Sequence, residues 1–259
     1  PIALAVYRIG GRALFIMQDI IVRPFEQTAL PALARMADSN ERAQATLRMM
    51  RMSNFIIVPI FFGVSAVASD FIQLAFGVKW QNSGDLMTWL AIGSAPLLIR
   101  FQVNAALIAQ GASQWIMTTT LMTLLLTFVI GYFVIPFGTF YAAFTYIAIN
   151  YLASLINLYS FQRVFHAETA PIIKAILPSY VASGLMLGIC LLVKYILPIE
   201  LPAILRIIIL CATGGLTYFL LGALVFRSET KNFLKEISSV APEKILPLLT
   251  SLRTLLKLH

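Results

Sequence analysis

Seven apolar stretches, each long enough to cross a lipid bilayer, constrain the fold of this 259-residue chain more than any other feature. A membrane-spanning helix needs about 20 apolar residues, because the hydrocarbon layer is about 30 Å thick and a helix rises about 1.5 Å per residue. We therefore predict an all-α fold, a polytopic transmembrane helix bundle of seven spans. The stretches cover residues 1–31, 53–76, 86–109, 115–135, 138–162, 175–197 and 204–226.

The composition excludes an ordinary soluble domain. Hydrophobic residues make up 59% of the chain, charged residues 12%, and the mean hydropathy is +0.86. The net charge of +8 would favour nucleic acid as a partner of a soluble domain. In a membrane protein the same excess of Lys and Arg belongs to cytoplasmic connections next to anionic lipid. We predict membrane lipids as partners, and no nucleic acid.

Basic residues in the connections predict the orientation of the chain, because cytoplasmic loops carry more Lys and Arg than external loops. One side receives only Lys79, Lys194 and Arg206. The other side, which we predict to be cytoplasmic and to hold the C-terminus, receives Arg35, Arg42, Arg48, Arg51, Arg163, Lys174, Arg227, Lys231, Lys235, Lys244, Arg253 and Lys257. Seven crossings then place Pro1 outside. Because the chain opens without Met inside an apolar stretch, we expect it to be the later part of a longer protein.

Five ionisable residues interrupt the first apolar stretch and share one face of its predicted helix. At about 100° per residue they fall within about 60° of one another. They are Arg8, Arg12, Asp19, Arg23 and Glu26, which we call the α1 charge stripe, with α1 denoting the first helix of the chain, predicted over residues 1–31. Charge facing hydrocarbon is costly, so the stripe must face water or a partner. It predicts a transporter with a wet cavity.

The arginines of the stripe suit an anionic ligand. A guanidinium group presents a planar set of donors and stays protonated, so Arg8 and Arg12 are candidate ligands for a pyrophosphate headgroup. Asp19, Arg23 and Glu26 are candidates for tuning those charges or for coupling to an ion. An alternative needs no ligand: Arg8 reaches the membrane interface, while Arg23 pairs with the two carboxylates of the stripe.

Two further spans carry polar residues at membrane depth. Arg100 and Asn104 lie in the third span, and Asn150 and Asn157 share a face of the fifth. Arg100, Asn104 and Asn150 are candidate substrate-binding residues, because an intramembrane polar residue faces a cavity more readily than lipid. The alternative for each is a hydrogen bond or salt bridge between helices.

The sequence contains no pattern for catalysis or for a cofactor. It has neither a Gly-rich phosphate loop nor a nucleophile elbow. His166 and His259 have no Cys or carboxylate cluster at ligand spacing, so we predict no metal site. Cys190 and Cys211 lie within spans, where cysteine packs as a small apolar side chain. We expect no catalytic residue and no cofactor.

Local patterns predict three further details. Asp38 and Glu41 are typical of a helix N-cap, which we expect to begin a short basic helix on the membrane surface before the second span. The threonines of the fourth span can bond their own helix backbone without a substrate; they are Thr118, Thr119, Thr120 and Thr123. Residues 227–259 combine apolar residues at near-helical spacing with Lys and Arg, which predicts an amphipathic cytoplasmic tail.

The order of these features resembles the later part of a polysaccharide flippase, of the Wzx or PST type in the MOP exporter superfamily. The resemblance covers about residues 1–165, and the last two spans and the tail agree only in hydropathy. It is carried by four stretches: Leu4-Ala5-Val6-Tyr7-Arg8; Pro31-Ala32-Leu33-Ala34-Arg35; Ala75-Phe76-Gly77-Val78-Lys79-Trp80; and Phe137-Gly138-Thr139-Phe140-Tyr141-Ala142-Ala143.

The resemblance implies a 14-helix transporter with two lobes around a central cavity, of which this chain supplies helices 8 to 14. Residues 1–165 would then be a partial MATE-like C-terminal lobe, 166–226 two additional helices, and 227–259 the tail. The family's substrate is an undecaprenyl-pyrophosphate-linked oligosaccharide, carried across the inner membrane for exopolysaccharide or O-antigen synthesis. Of the family's cationic cavity residues, only Arg8 matches by motif. Implied partners are the preceding helices of the same protein and the polysaccharide polymerase machinery.

Three alternatives remain open. A multidrug or ion-coupled exporter of the same superfamily would need an acidic cavity to attract cations, whereas Arg outnumbers Asp and Glu in these spans. An integral-membrane glycan polymerase or transferase would need a catalytic carboxylate or a large external loop, and the external connections are about ten residues at most. A purely structural membrane subunit leaves the charge stripe unexplained.

Overall fold

The chain folds as a bundle of α-helices. The computed structural model describes residues 2–134, 137–198 and 201–224, and within these ranges it contains eight α-helices and no β-strand. A 3₁₀ turn, Val78–Trp80, lies between the second and third helices. The α-helices are α1 (Ile2–Ala34), α2 (Ser39–Phe76), α3 (Gln81–Ser94), α4 (Leu97–Ala109), α5 (Ser113–Val134), α6 (Thr139–Phe165), α7 (Thr169–Ile196) and α8 (Ala203–Leu224).

The number of spans agrees with the predicted all-α membrane bundle. Six segments are long and apolar enough to cross a membrane, with α3 and α4 together forming one of them. Helix α1 adds the seventh: its 33 residues extend about 50 Å, more than the hydrocarbon thickness, although charged residues lower its hydropathy. The predicted tail at 227–259 lies outside the described residues.

The predicted N-cap is confirmed, but the separate surface helix is wrong. Asp38 has extended backbone angles and its carboxylate accepts a hydrogen bond of 3.0 Å from the Glu41 amide, which satisfies one free donor of the first turn. The helix then continues for 38 residues to Phe76. Because residues 43–53 are mostly good helix formers, nothing interrupts the helix between its basic first turns and its apolar part.

The third span is broken, whereas the sequence predicted one helix over 86–109. Pro96 cannot donate a backbone hydrogen bond, and α3 ends at Ser94 before α4 begins at Leu97. Side chains of α6 bond the carbonyls at the break: the Tyr151 hydroxyl lies 3.3 Å from the Ile92 oxygen, and the Ser154 hydroxyl lies 3.0 Å from the Pro96 oxygen. The carbonyls at the break are therefore bonded by protein side chains, as backbone groups freed from a helix ladder at membrane depth must be.

Helix α3 packs against α1, α2 and α6 with very little space between backbones. A Cβ atom on Gly84 would lie 2.5 Å from the Ser69 Cα of α2, and one on Gly93 would lie 2.8 Å from the Tyr146 ring of α6. Any side chain at these two positions would force the helices apart. Glycine here sets the distance between helices, as small residues do in membrane bundles.

Helix α2 contacts helices from both the middle and the last part of the sequence. It packs against α3 and α4 on one side and against α7 and α8 on the other. The Tyr218 hydroxyl of α8 donates a 2.8 Å hydrogen bond to the Phe55 carbonyl of α2. The two helices predicted as an addition at 166–226 are thus joined directly to the rest of the bundle.

Helix α5 has the most exposed surface of the span-forming helices. Thr119 and Gly131 are its only buried residues among those described, and it packs mainly against α6 with a smaller contact to α4. Its exposed side chains include Leu125, Phe128 and Tyr132. An apolar surface of this kind fits contact with lipid.

Candidate functional site

The α1 charge stripe lies on the exposed face of its helix. All five side chains are exposed. Elsewhere on the helix Leu14, Val22 and Leu33 are buried, and α1 packs against α3 and α4. The shared face predicted by helical spacing is therefore the face that α1 leaves uncovered.

Two members of the stripe pair with each other. The Arg23 guanidinium donates to the Asp19 carboxylate through Nε at 3.0 Å and Nη2 at 3.1 Å, a bidentate pair one helical turn apart. This pair agrees with one part of the alternative in which the stripe needs no ligand, namely that Arg23 pairs with a carboxylate of its own helix. The two charges offset each other, so the anion-attracting part of the stripe is its first half, at Arg8 and Arg12.

Two of the other candidate residues, Arg100 and Asn104, line a cavity of about 290 Å³ between α4, α5 and α6, which we call the α4–α6 cavity. The Arg100 guanidinium lies over the neighbouring Phe101 ring, 5.7 Å from its centroid. The cavity is lined by Arg100, Phe101, Asn104, Thr119, Thr120, Thr123, Leu124, Thr127 and Asn157.

The hydrogen bonds of the α4–α6 cavity leave oxygen acceptors without donors. The Asn157 amide donates to the Ala153 carbonyl at 2.7 Å, while its Oδ1 is buried without a hydrogen-bond partner. The Asn104 Oδ1 is also buried without a hydrogen-bond partner. Buried polar atoms are normally satisfied, so such atoms facing a cavity point to a ligand or water.

The threonine prediction is confirmed for three of the four residues. Thr118, Thr119 and Thr123 donate to backbone carbonyls of their own helix at 3.0, 3.0 and 2.7 Å. Thr127, which the sequence did not single out, donates to the Thr123 carbonyl at 2.7 Å. Thr119 and Thr123 nevertheless line the cavity, which the sequence did not predict.

The candidate residues form two groups. Arg100 and Asn104 meet in the α4–α6 cavity, but Arg8 and Arg12 do not line it. Asn150 also lies outside the lining: it is buried and its amide donates to the Tyr146 carbonyl at 2.9 Å. The structure therefore offers a charged open face and a separate polar cavity.

A hydrogen-bonded group connects α1 to the broken span. The Gln18 amide, next to Asp19 of the stripe, donates to the Ser94 hydroxyl at 2.5 Å and to the Tyr146 hydroxyl at 3.3 Å. Ser94 is the last residue of α3, and its hydroxyl donates to the Leu90 carbonyl at 2.7 Å. A displacement of α1 would therefore break or shift the hydrogen bond to Ser94 at the end of α3.

The sequence interpretation missed a buried ionic triad, which we call the Asp70 triad. Asp70 of α2 is 2% exposed, with its Oδ2 3.0 Å from the Lys194 Nζ of α7 and its Oδ1 3.1 Å from the Arg206 Nη2 of α8. Lys194 also donates to the Ala66 carbonyl at 3.1 Å. An acidic residue inside an apolar stretch was the available signal, but its partners lie more than 120 positions away in the chain.

No group of three or more His, Cys, Asp or Glu side chains that could hold a metal ion occurs in the described ranges. Cys190 is buried and Cys211 is exposed, and both are free thiols. Neither cysteine has a role in the two candidate regions.

Residues 1–85 match the model of a family described as polysaccharide biosynthesis protein. The match covers α1, α2 and the start of α3, including the whole charge stripe. It confirms the predicted resemblance at the level of a polysaccharide biosynthesis or flippase-type family and supports no finer type. Neither a curated protein nor a solved structure matches the chain.

Proposed function

From the polysaccharide biosynthesis family match over residues 1–85, we propose that this membrane protein is part of a flippase for lipid-linked oligosaccharides. The substrate class is an undecaprenyl-pyrophosphate-linked sugar unit, moved across the inner membrane for exopolysaccharide or O-antigen synthesis. No bond is made or broken in this reaction, so the protein is a transporter and not an enzyme.

The observation that carries the proposal is the uncovered, charged face of α1. This helix lies wholly within the matched segment and exposes Arg8 and Arg12 on one side. Because charge is unfavourable in hydrocarbon, this face needs an aqueous surround. We propose that the preceding helices of the same protein form the opposite wall of a wet cavity here.

Arg8 and Arg12 would hold the pyrophosphate headgroup. Their guanidinium groups can donate in pairs to phosphate oxygens. The Asp19–Arg23 pair and Glu26 would limit the positive charge of the stripe, which keeps the headgroup releasable. Arg100, Asn104 and Asn150 remain candidates for contact with the rest of the substrate.

The transport cycle follows from placing the polar part of the substrate in water and its lipid tail in the bilayer. The oligosaccharide and pyrophosphate would enter from the cytoplasmic side, and rocking of the two lobes would reopen the cavity outside. The excess of Lys and Arg at the α1–α2 and α6–α7 connections supports a cytoplasmic position for those connections and for the C-terminus. The polymerase machinery that uses the exported unit is the proposed downstream partner.

An Arg12→Ala variant of the full-length protein tests the proposal. We expect it to abolish complementation of a flippase-null strain at normal expression, because the headgroup loses a cationic ligand. Arg48→Ala is the matched control, since Arg48 is also an exposed arginine but belongs to the first turns of α2. Unchanged polymer export by Arg12→Ala, with equal protein in the membrane, would remove the role of the stripe.

An ion-coupled multidrug exporter is the second candidate. Its cationic substrates need uncompensated carboxylates, whereas Asp19 is paired with Arg23 and Asp70 is paired with Lys194 and Arg206. The test is export of a cationic dye by the full-length protein. Export that the Glu26→Gln variant loses would favour the multidrug exporter over the flippase.

A further inference from the structure

Three of the four threonines that line the α4–α6 cavity present oxygen lone pairs to it. The hydroxyl hydrogens of Thr119, Thr123 and Thr127 are already donated to the carbonyls of Ile116, Thr119 and Thr123. A threonine whose hydrogen is committed in this way acts only as an acceptor toward a ligand. One wall of the cavity is therefore a row of acceptors one helical turn apart.

Two residues of the opposite wall carry buried acceptors without donors. The Oδ1 atoms of Asn104 and Asn157 have no hydrogen-bond partner, and Asn157 is only 1% exposed. The Asn157 amide is occupied by the Ala153 carbonyl, so its free group is the acceptor. The acceptors of the threonine row, with the buried acceptors beside them, favour a ligand that brings hydrogen-bond donors.

The single cation of the lining decides which donor-rich ligand fits. Arg100 would repel a metal cation or an ammonium group. A phosphate ion would be attracted by Arg100 but brings few or no hydrogens for the acceptors. A sugar ring carries several hydroxyl donors, and a sugar acid adds a carboxylate for the guanidinium group.

We propose that the α4–α6 cavity binds one sugar ring and prefers a uronic acid to a neutral sugar. Its volume of about 290 Å³ lies near the lower end of the range for small-molecule sites, which fits a single ring. Phe101 and Leu124 supply apolar surface for the ring's carbon face. The inference rests on the proposed function, in which the sugar belongs to the transported unit, and it separates sugar recognition from the headgroup site on α1.

Binding of free sugars to the full-length protein in lipid nanodiscs tests the inference without transport. Ligand-observed NMR titrations would compare glucuronic acid, glucose and inorganic phosphate. We expect glucuronic acid to bind several-fold more tightly than glucose, and phosphate to give no signal from this cavity. Thr123→Val keeps the side-chain shape but removes an acceptor, and should weaken sugar binding about 3- to 10-fold.

Thr118→Val is the matched control, because Thr118 makes the same kind of backbone bond on the same helix but does not line the cavity. It should leave binding unchanged. Arg100→Gln should abolish the preference for glucuronic acid and keep the binding of glucose. Together these variants separate the acceptor row from the cation.

Equal binding of sugars by wild type, Thr123→Val and Thr118→Val would overturn the inference, as would phosphate binding that Thr123→Val leaves intact but Arg100→Gln removes. Absence of sugar binding to the wild type would overturn it as well. These results are distinct from failure of the flippase proposal, which depends on export by Arg12→Ala and not on free sugars.

Discussion

The α1 charge stripe and the Asp70 triad use the same kinds of side chain in opposite surroundings. Asp19 and Arg23 form a pair on one helix with side chains 58% and 63% exposed. The Asp70 side chain is 3% exposed and joins three helices through Lys194 and Arg206. The first arrangement leaves charge accessible on the surface of the bundle, whereas the second uses charge to fix α7 and α8 onto α2.

This difference in burial indicates which charges are free to bind a ligand and which are held by the fold. A buried carboxylate must keep its cations, because separating them leaves uncompensated charge at low dielectric. An exposed pair is worth little and exchanges partners readily. Ligand binding is therefore expected at the stripe, and stability is expected to depend on the triad.

The largest predicted effect is that of Asp70→Ala. Removing the carboxylate leaves two partly buried cations facing each other without a counter-charge, which should destabilise the protein by about 3 kcal/mol. Unfolding in detergent can be followed by reaction of the buried thiol of Cys190 with a maleimide dye, in a Cys211→Ser background.

Asp85→Ala is the control for this prediction, since Asp85 is an exposed carboxylate whose contact is the Ser69 hydroxyl at 3.0 Å. Replacing Asp70, Lys194 and Arg206 together by Leu, Met and Met should recover most of the loss, because no buried charge is left. If Asp70→Ala unfolds like Asp85→Ala, the triad is not a stabilising element.

An intermediate effect is predicted for Arg206→Met. Asp70 then keeps only Lys194, and we expect a loss of about 1–3 kcal/mol. Lys194→Met should cost less than Arg206→Met, since the lysine is 28% exposed and the arginine 16%. The same thiol-reaction assay ranks the two variants, and the reverse order would contradict the role of burial in this comparison.

The smallest effect is predicted for Asp19→Ala. An exposed pair one helical turn apart contributes about 0.3–0.5 kcal/mol, so stability should hardly change. Addition of 1 M salt should remove even this difference, because exposed charges are screened. A loss comparable to that of Arg206→Met would show that the stripe is buried in the assembled protein.

The sequence was sufficient for those features that depend on local pattern. Hydropathy identified the spans, and Asp38 with Glu41 identified the start of α2. The charge stripe followed from spacing alone, since its members lie on one helix. These features need no knowledge of which helices are neighbours.

Features that depend on packing could not be predicted in this way. Pro59 lies inside α2 without ending it, whereas Pro96 separates α3 from α4. The difference depends on Tyr151 and Ser154, which bond the carbonyls at the break from a distant part of the chain. The α4–α6 cavity and the Asp70 triad likewise depend on contacts between separate helices.

The support that α6 gives to the broken third span limits how these helices can move in the proposed transport cycle. If α6 separated from the break, the carbonyls of Ile92 and Pro96 would lose their hydroxyl partners at a depth where water is scarce. The free-energy cost increases with each polar group that is left without a hydrogen bond in the hydrocarbon layer. Helices α3, α4 and α6 should accordingly move together as one rigid body. Relative motion between helices is then expected at other interfaces of the bundle.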